Sequence, residues 1–209
     1  MERGWPSQLA AGLEQMGLSL EPERQRRLID YLALLYKWNR AYNLTAVRDP
    51  RQAVSRQLLD SLSILPLVAG PRVLDLGTGP GLPGVPLAIV RPQWHFALLD
   101  SNLKKCRFLR QVQLELGLEN LEVVQERVER YRPRAPFDTV TSRAFSTLER
   151  MVALSRHLLA PGGRWVAMKG KVPEAELAEL PEGLAAEVVP LAVPGETAER
   201  HAVVIRSSP

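Results

Sequence analysis

The sequence predicts an α/β fold: a mostly parallel sheet of seven strands, one of them antiparallel, with a helical extension at the N-terminus. Three observations predict it. Val73–Leu76 is a short apolar run that opens into a glycine-rich turn, Gly77 to Gly84, and then into a second apolar stretch, Val85 to Val90. Beyond that turn, short apolar runs alternate with stretches of helical periodicity, the order that builds a parallel sheet. Near the end, two apolar runs are separated by Pro194-Gly195 and polar residues, which suits an antiparallel pair. At 209 residues the chain reads as one compact unit, with residues 1–70 a helical extension packed on the core formed by residues 71–209.

The extension reads as helices. Leu28, Tyr31, Leu32, Leu35, Trp38 and Tyr42 recur at spacings of three and four and mark one helical face. Asp49-Pro50 marks a second helix start, with proline at the first position, where its missing N–H is not needed. Val54, Leu58, Ser61, Leu62 and Leu65 continue that second apolar face. Arg24, Arg26, Arg27, Lys37, Arg40, Arg48, Arg51 and Arg56 form either the solvated side of these helices or a surface for nucleic-acid phosphates. Asn43 and Thr45 lie at a helix end, where their side chains can satisfy free backbone groups.

In the second part, strands are expected at Val73–Leu76, His95–Asp100, Leu121–Gln125, Phe137–Ser142, Trp165–Lys169, Val188–Val193 and Ala202–Ile205. Helices are expected at Val85–Val90, Lys104–Leu116 and Thr147–Leu159. Cys106, Leu109, Val112 and Leu116 share one helical side, so the single cysteine reads as a small buried hydrophobe. Gly117 stops that helix, and Ala160-Pro161-Gly162-Gly163 turns the chain into the fifth strand.

Ligands of such sheets sit at the carboxyl ends of the strands. Gly79-x-Gly81-x-x-Gly84 fits the dinucleotide fingerprint, whereas Asp75-x-Gly77-x-Gly79-x-Gly81 resembles the first motif of S-adenosylmethionine-dependent methyltransferases. A plain tight turn is the third reading. Asp100, about twenty residues beyond the glycines, is placed to accept hydrogen bonds from ribose hydroxyls, or else to cap the next helix. Val128 and Glu129 follow the third strand, where they can pack on an adenine and bond its amino group; an ordinary acid in a first helical turn is the alternative. Arg143 ends the central fourth strand, where it can hold a carboxylate or phosphate, or pair with a helix acid.

Composition narrows the setting. The net charge of +4 permits a polyanionic partner. One cysteine excludes an internal disulfide and suits a reducing compartment. The first residues lack the apolar core of a signal peptide, and no run approaches the length of a membrane span. A cytoplasmic protein without a membrane partner is expected.

The segments WNRAYNLTAVRDP, LLDSL, VLDLGTGPGLPGVPLAIV, LLDSNLKKCRFLRQV, RVE, FDTVTSRAF, LLAPGGRWVAMKG and ERHAVVI together resemble the RsmG (GidB) family, from about Trp38 to Ile205. The resemblance implies a Rossmann-like S-adenosylmethionine-dependent methyltransferase fold. It also implies methylation of N7 of a guanine in 16S rRNA, guanine 527 in the family's usual count. The cofactor would be S-adenosylmethionine, and the partner 16S rRNA or the small ribosomal subunit. Neither a metal nor oligomerisation is expected. Gly77 and Leu82 would line the cofactor site, with Asp75, Gly79 and Asp100 beside them from the motif reading. Val128 and Glu129 would meet the adenosine, and Arg143 the methionine end. The family often carries histidine where Gln57 stands here.

What is missing from the sequence fits that reaction. Carbon methylation of a pyrimidine calls for a cysteine nucleophile, and Cys106 lies inside a helix. Methylation of an exocyclic amine often uses an (Asn/Asp/Ser)-Pro-Pro-(Tyr/Phe) segment, where this chain has Ser142-Arg143-Ala144-Phe145. His95, His157 and His201 have no metal-ligand spacing. Guanine N7 brings a free lone pair and loses no proton, so no catalytic acid or base is assigned; Asn43, Arg143 and Lys169 are expected only to position RNA or cofactor. Two rival readings are an NAD-dependent oxidoreductase, favoured by Gly79-x-Gly81-x-x-Gly84 with Asp100, and a non-catalytic RNA-binding factor on the same fold.

Overall fold

The strand that feeds the glycine turn lies inside the sheet. In the computed structural model, which describes residues 4–207, β1 (Arg72–Leu76) runs parallel between β2 (His95–Leu99) and β4 (Phe137–Arg143). Residues 1–3, part of the N-terminal signal reading, fall outside the described residues. The full order is β3-β2-β1-β4-β5-β7-β6, with β3 at Leu121–Val124, β5 at Leu159–Lys169, β6 at Leu184–Pro190 and β7 at His201–Ser207. From β1 the chain builds outward to β3 on one side and then restarts with β4 on the other. The crevice above β1 and β4 is therefore the switch point where such sheets take ligands. β7 is antiparallel to both β5 and β6, so it is the one reversed strand.

Strand periodicity divides the core. Val73, Phe96, Leu98, Val166 and Met168 face one apolar cluster, while their neighbours Leu74, Ala97, Leu99, Trp165 and Ala167 face the other. The first cluster also takes α1 (Trp5–Gln15), α2 (Pro22–Tyr42), α3 (Asp60–Leu62), α4 (Gly84–Val90) and α5 (Leu103–Leu116). The second takes α6 (Leu148–Ser155) and touches the short α7 (Glu174–Ala178) through Leu177. The N-terminal helices thus share one core with a sheet face. No helix of the described residues is long and apolar enough to cross a membrane.

Local chemistry sets the ends. Pro22 opens α2, and Asn43, in the left-handed region at φ 50°, closes it. Asn102 caps α5 by accepting from the N–H groups of Lys104 and Lys105, and Gly117 at φ 60° ends it. Thr147 caps α6 by accepting from Arg150 N–H.

Several expectations shift. The helix expected after Asp49-Pro50 winds as a 3₁₀ turn at Pro50–Gln52, a π-helix at Val54–Leu59 and then α3. Its apolar face is buried as expected. Tyr42, expected on a buried face, is 46% exposed because it lies in the last turn of α2, beyond the core. No helix follows β3; Val128 and Glu129 sit in a turn. The helix expected to reach Leu159 ends at Ser155, and a 3₁₀ turn completes it. The Pro-Gly-Gly segment lies within β5 as an irregularity, with Leu159 opposite Phe137 and Arg164 opposite Thr139. β6 begins and ends earlier than Val188–Val193. It is an edge strand with mostly exposed residues, so its apolar pattern marked only its last part.

Candidate active site

Asp75, near the carboxyl end of β1, braces the glycine turn from beneath. Its Oδ2 accepts from Thr78 Oγ1 (2.6 Å) and from Gly84 N–H (2.8 Å). Its Oδ1 is buried and has no partner among the described residues. Burial raises its pKa from 3.8 to about 6, against the lowering effects of Thr78, Gly84 and the Arg143 charge. Gly84 is needed for packing: a Cβ there would collide with Leu98 and with Asp75. At Gly77, with φ 64°, a Cβ would strike the Phe145 ring.

Asp100 leaves the cap of α5 to Asn102. Its Oδ2 accepts from Gly79 N–H (3.0 Å) and its Oδ1 from Asn102 N–H (2.8 Å), with Lys105 Nζ at 3.5 Å. These donors fix the carboxylate on the wall of a cavity of about 630 Å³, whose lining includes Gly77, Asp100, Val128, Glu129 and Phe145. The expected adenosine-end residues thus meet in one place. Gly79 reaches it only through its bond to Asp100. Leu82 is buried, and its N–H is bonded to the Thr78 carbonyl (3.1 Å), so its side chain belongs to the core.

A second cavity, of about 430 Å³, lies on the other side of Ala144, which lines both. Ala144 holds φ 57°, a strained setting for a residue with a Cβ, and it carries Phe145 over Gly77. Thr45, Gln57, Asp60, Pro80, Arg143, Lys169, Arg200 and His201 line this cavity. Arg143 Nη1 donates to the Arg56 carbonyl (3.0 Å) and Asp60 Oδ2 (3.2 Å), and its Nη2 to Gln57 Oε1 (3.0 Å). Arg143 therefore pairs with a helix acid, the second of its two readings, while lining a cavity. Asp60 Oδ1 accepts from Arg200 Nε (3.2 Å), so one buried carboxylate orients two guanidinium groups. Glu196 pairs with both Arg56 and Arg200. Gln57 Nε2 donates to Thr45 Oγ1 (2.8 Å), linking Arg143 to the loop after α2. With an amide at position 57, this link carries no titrating group.

Lys169 shares the cavity, but its charge is paired with Glu176 (2.8 Å). Asn43 does not join it. Asn43 lines a neighbouring hollow with Asn39, Arg40 and Arg48, and its Oδ1 accepts from Arg48 Nη2 (3.2 Å). Sequence reasoning missed Asp60, Glu196 and Arg200. Asp60 and Arg200 stood inside quoted segments, LLDSL and ERHAVVI, yet nothing in their spacing showed that they meet across 140 residues.

Comparisons with known proteins agree with this geometry. A family model described as rRNA small subunit methyltransferase G matches residues 24–204. A protein named ribosomal RNA small subunit methyltransferase G from Laribacter hongkongensis is 54% identical over 197 residues, spanning 94% of this chain and 95% of that one. The protein of that name from Pseudomonas aeruginosa (strain LESB58) is 56% identical over 201 residues, spanning 95% and 94%. Among solved structures, the glycopeptide N-methyltransferase MtfA superposes with a TM-score of 0.60 at 16% identity, over 77% of this chain and 100% of that one. TrmN from Thermus thermophilus gives 0.58 at 20%, over 81% and 53%. These two show the fold, the Rossmann-like architecture of methyltransferases. The match over residues 24–204, and relatives more than half identical over nearly their whole length, establish that the chain belongs to the ribosomal RNA small subunit methyltransferase G family.

Proposed function

We propose that this protein transfers a methyl group from S-adenosylmethionine to N7 of a guanine in 16S rRNA, guanine 527 in the family's usual count, by in-line displacement without a general base. The observation that carries the reading is the pair of cavities sharing Ala144 at the carboxyl ends of β1 and β4. The residues present fit the donor. Asp100 offers an oriented carboxylate for ribose hydroxyls, and Val128 and Glu129 stand where an adenine would lie. Asp75 supplies a buried oxygen without a partner beneath the turn, and Gly77 lines the same cavity as Asp100.

When bound, S-adenosylmethionine supplies a methyl carbon activated by positive sulfur, so the acceptor needs only a lone pair aligned behind it. Guanine N7 has one and releases no proton, so the second cavity has to orient a base and need not deprotonate it. A two-pronged arginine on O6 and N7, the commonest guanine contact, would occupy the nucleophile. Arg143 has both terminal nitrogens engaged by Arg56, Asp60 and Gln57, which holds it back from that grip. Arg143 and Arg200 are then positioning residues, suited to O6 or to phosphates. N7 faces the deep major groove of paired RNA, so the target belongs in a loop or an exposed strand. On this reading the protein acts as a monomer in the bacterial cytoplasm.

Incubating the protein with tritiated donor and either small subunits or naked 16S rRNA, then digesting to nucleosides, tests this. The label is expected in 7-methylguanosine. Label in another nucleoside, in protein only, or nowhere would contradict it.

A further inference from the structure

The aromatic side chains of the N-terminal region form a ladder from the core to the surface. Phe108 of α5 is fully buried, and Trp38 of α2 packs against it, with ring centroids 5.6 Å apart. Tyr42 stacks on Trp38 at 5.2 Å with an interplanar angle of 29°. On the inner side Phe108 meets Tyr31 at 6.4 Å, and the Tyr31 hydroxyl donates to the carbonyl of Pro80 in the glycine turn (2.9 Å). Each ring thus holds the next, and the last is 46% exposed.

The outer ring comes two residues before the loop that lines the acceptor cavity. Asn43 ends α2 in the left-handed region, and the chain turns at once into residues 44–47, which line that cavity. Lys37 and Arg40, both exposed, lie on the same last turns of α2 but on the far side of the helix, where they line hollows that do not include Tyr42.

One face of the Tyr42 ring is occupied by Trp38, and the ring stays largely exposed. A rigidly held, exposed aromatic face is the device on which bases of single-stranded nucleic acid stack without a reading of sequence. We propose that Tyr42 is a base-stacking platform for a single-stranded stretch of the RNA substrate, next to the cavity that takes the target guanine. This rests on the RNA methyltransferase reading above and adds a docking surface to it. Because Trp38 and Phe108 fix the ring beforehand, little side-chain freedom is lost on binding.

The test uses full-length Tyr42→Ala, Tyr42→Phe and Tyr42→Trp with a 16S rRNA fragment as acceptor. RNA affinity is read by anisotropy, methyl transfer by initial rates, and donor affinity by calorimetry. Tyr42→Ala should weaken RNA binding and raise KM for RNA at least about fivefold, with kcat and donor affinity unchanged. Phe and Trp should restore binding, since each keeps the stacking face. Wild-type RNA affinity in Tyr42→Ala, or failure of Phe to rescue it, would overturn the platform. The two readings fail separately. A wild-type protein that binds RNA through Tyr42 yet transfers no methyl group would contradict the activity and support the platform.

Discussion

Asp75 is the residue whose chemistry departs furthest from its reference state within the site. Its folded pKa of about 6 lies above the unfolded 3.8, so the folded protein holds a proton there that the unfolded chain lacks. The ionised carboxylate therefore opposes folding above about pH 6, and the opposition is relieved as pH falls from 6 toward 3.8. Relative to Asp75→Asn, wild-type stability should therefore rise as pH falls from about 7 to about 5. Urea unfolding of both proteins across that range checks it; a stability difference that does not move would contradict a carboxyl raised by burial. The sequence showed this acid beside the glycines but not its burial. Gly84 in contact with Asp75 creates that burial, and only the folded turn brings them together. That Asp100, Val128 and Glu129 come to one cavity was legible because each follows a strand, and parallel strands deliver their ends to one edge. That Asn43 lies apart from them was not, because a left-handed helix end turns its side chain toward Arg48, into another hollow.

At the scale of elements, the segment from Pro50 to Leu62 decides how the extension reaches the site. Its apolar positions were legible from spacing alone, but its winding was not. The π-helix sets the Arg56 carbonyl, Gln57 and, just beyond it, Asp60 against Arg143, and such wider turns recur at functional sites. Asp60 has a side chain only 6% exposed, and it serves arginines from β4 and from the residue before β7. Asp60→Ala would leave both guanidinium groups without their shared anion. The expected loss is about 2–3 kcal/mol of stability, at the low end for a buried pair because the arginines keep about a quarter of their surface. Asp60→Asn, which still accepts hydrogen bonds, should lose less. Urea unfolding of the two variants measures both, and equal stability to wild type would show that the cluster contributes nothing to the fold. The edge strand β6 was half legible, since an edge exposed to water carries no continuous apolar signal.

For the whole molecule, the notable arrangement is that α1, α2 and the segment through α3 share their apolar cluster with α4, α5 and one face of the sheet. We propose that residues 1–70 and the sheet behave as one cooperative unit. Calorimetric and spectroscopic unfolding should coincide in a single transition, and a fragment beginning at residue 71 should not fold, having lost the cover of that face. Two separated transitions would contradict it. The seven strands and the terminal antiparallel pair were legible because strand, helix and turn signals alternate regularly after residue 72. The meeting of the loop after α2, α3 and the start of β7 around one cavity was not, since those contacts span up to 140 residues. The account as a whole depends on two cavities joined at Ala144, one for the methyl donor and one for the base. A crystal structure of the protein with S-adenosylmethionine tests that most directly. The account predicts the ribose on Asp100, the adenine by Val128 and Glu129, and the sulfonium methyl opening past Ala144 toward Arg143. A donor bound elsewhere, or with its methyl turned away from that second cavity, would contradict it.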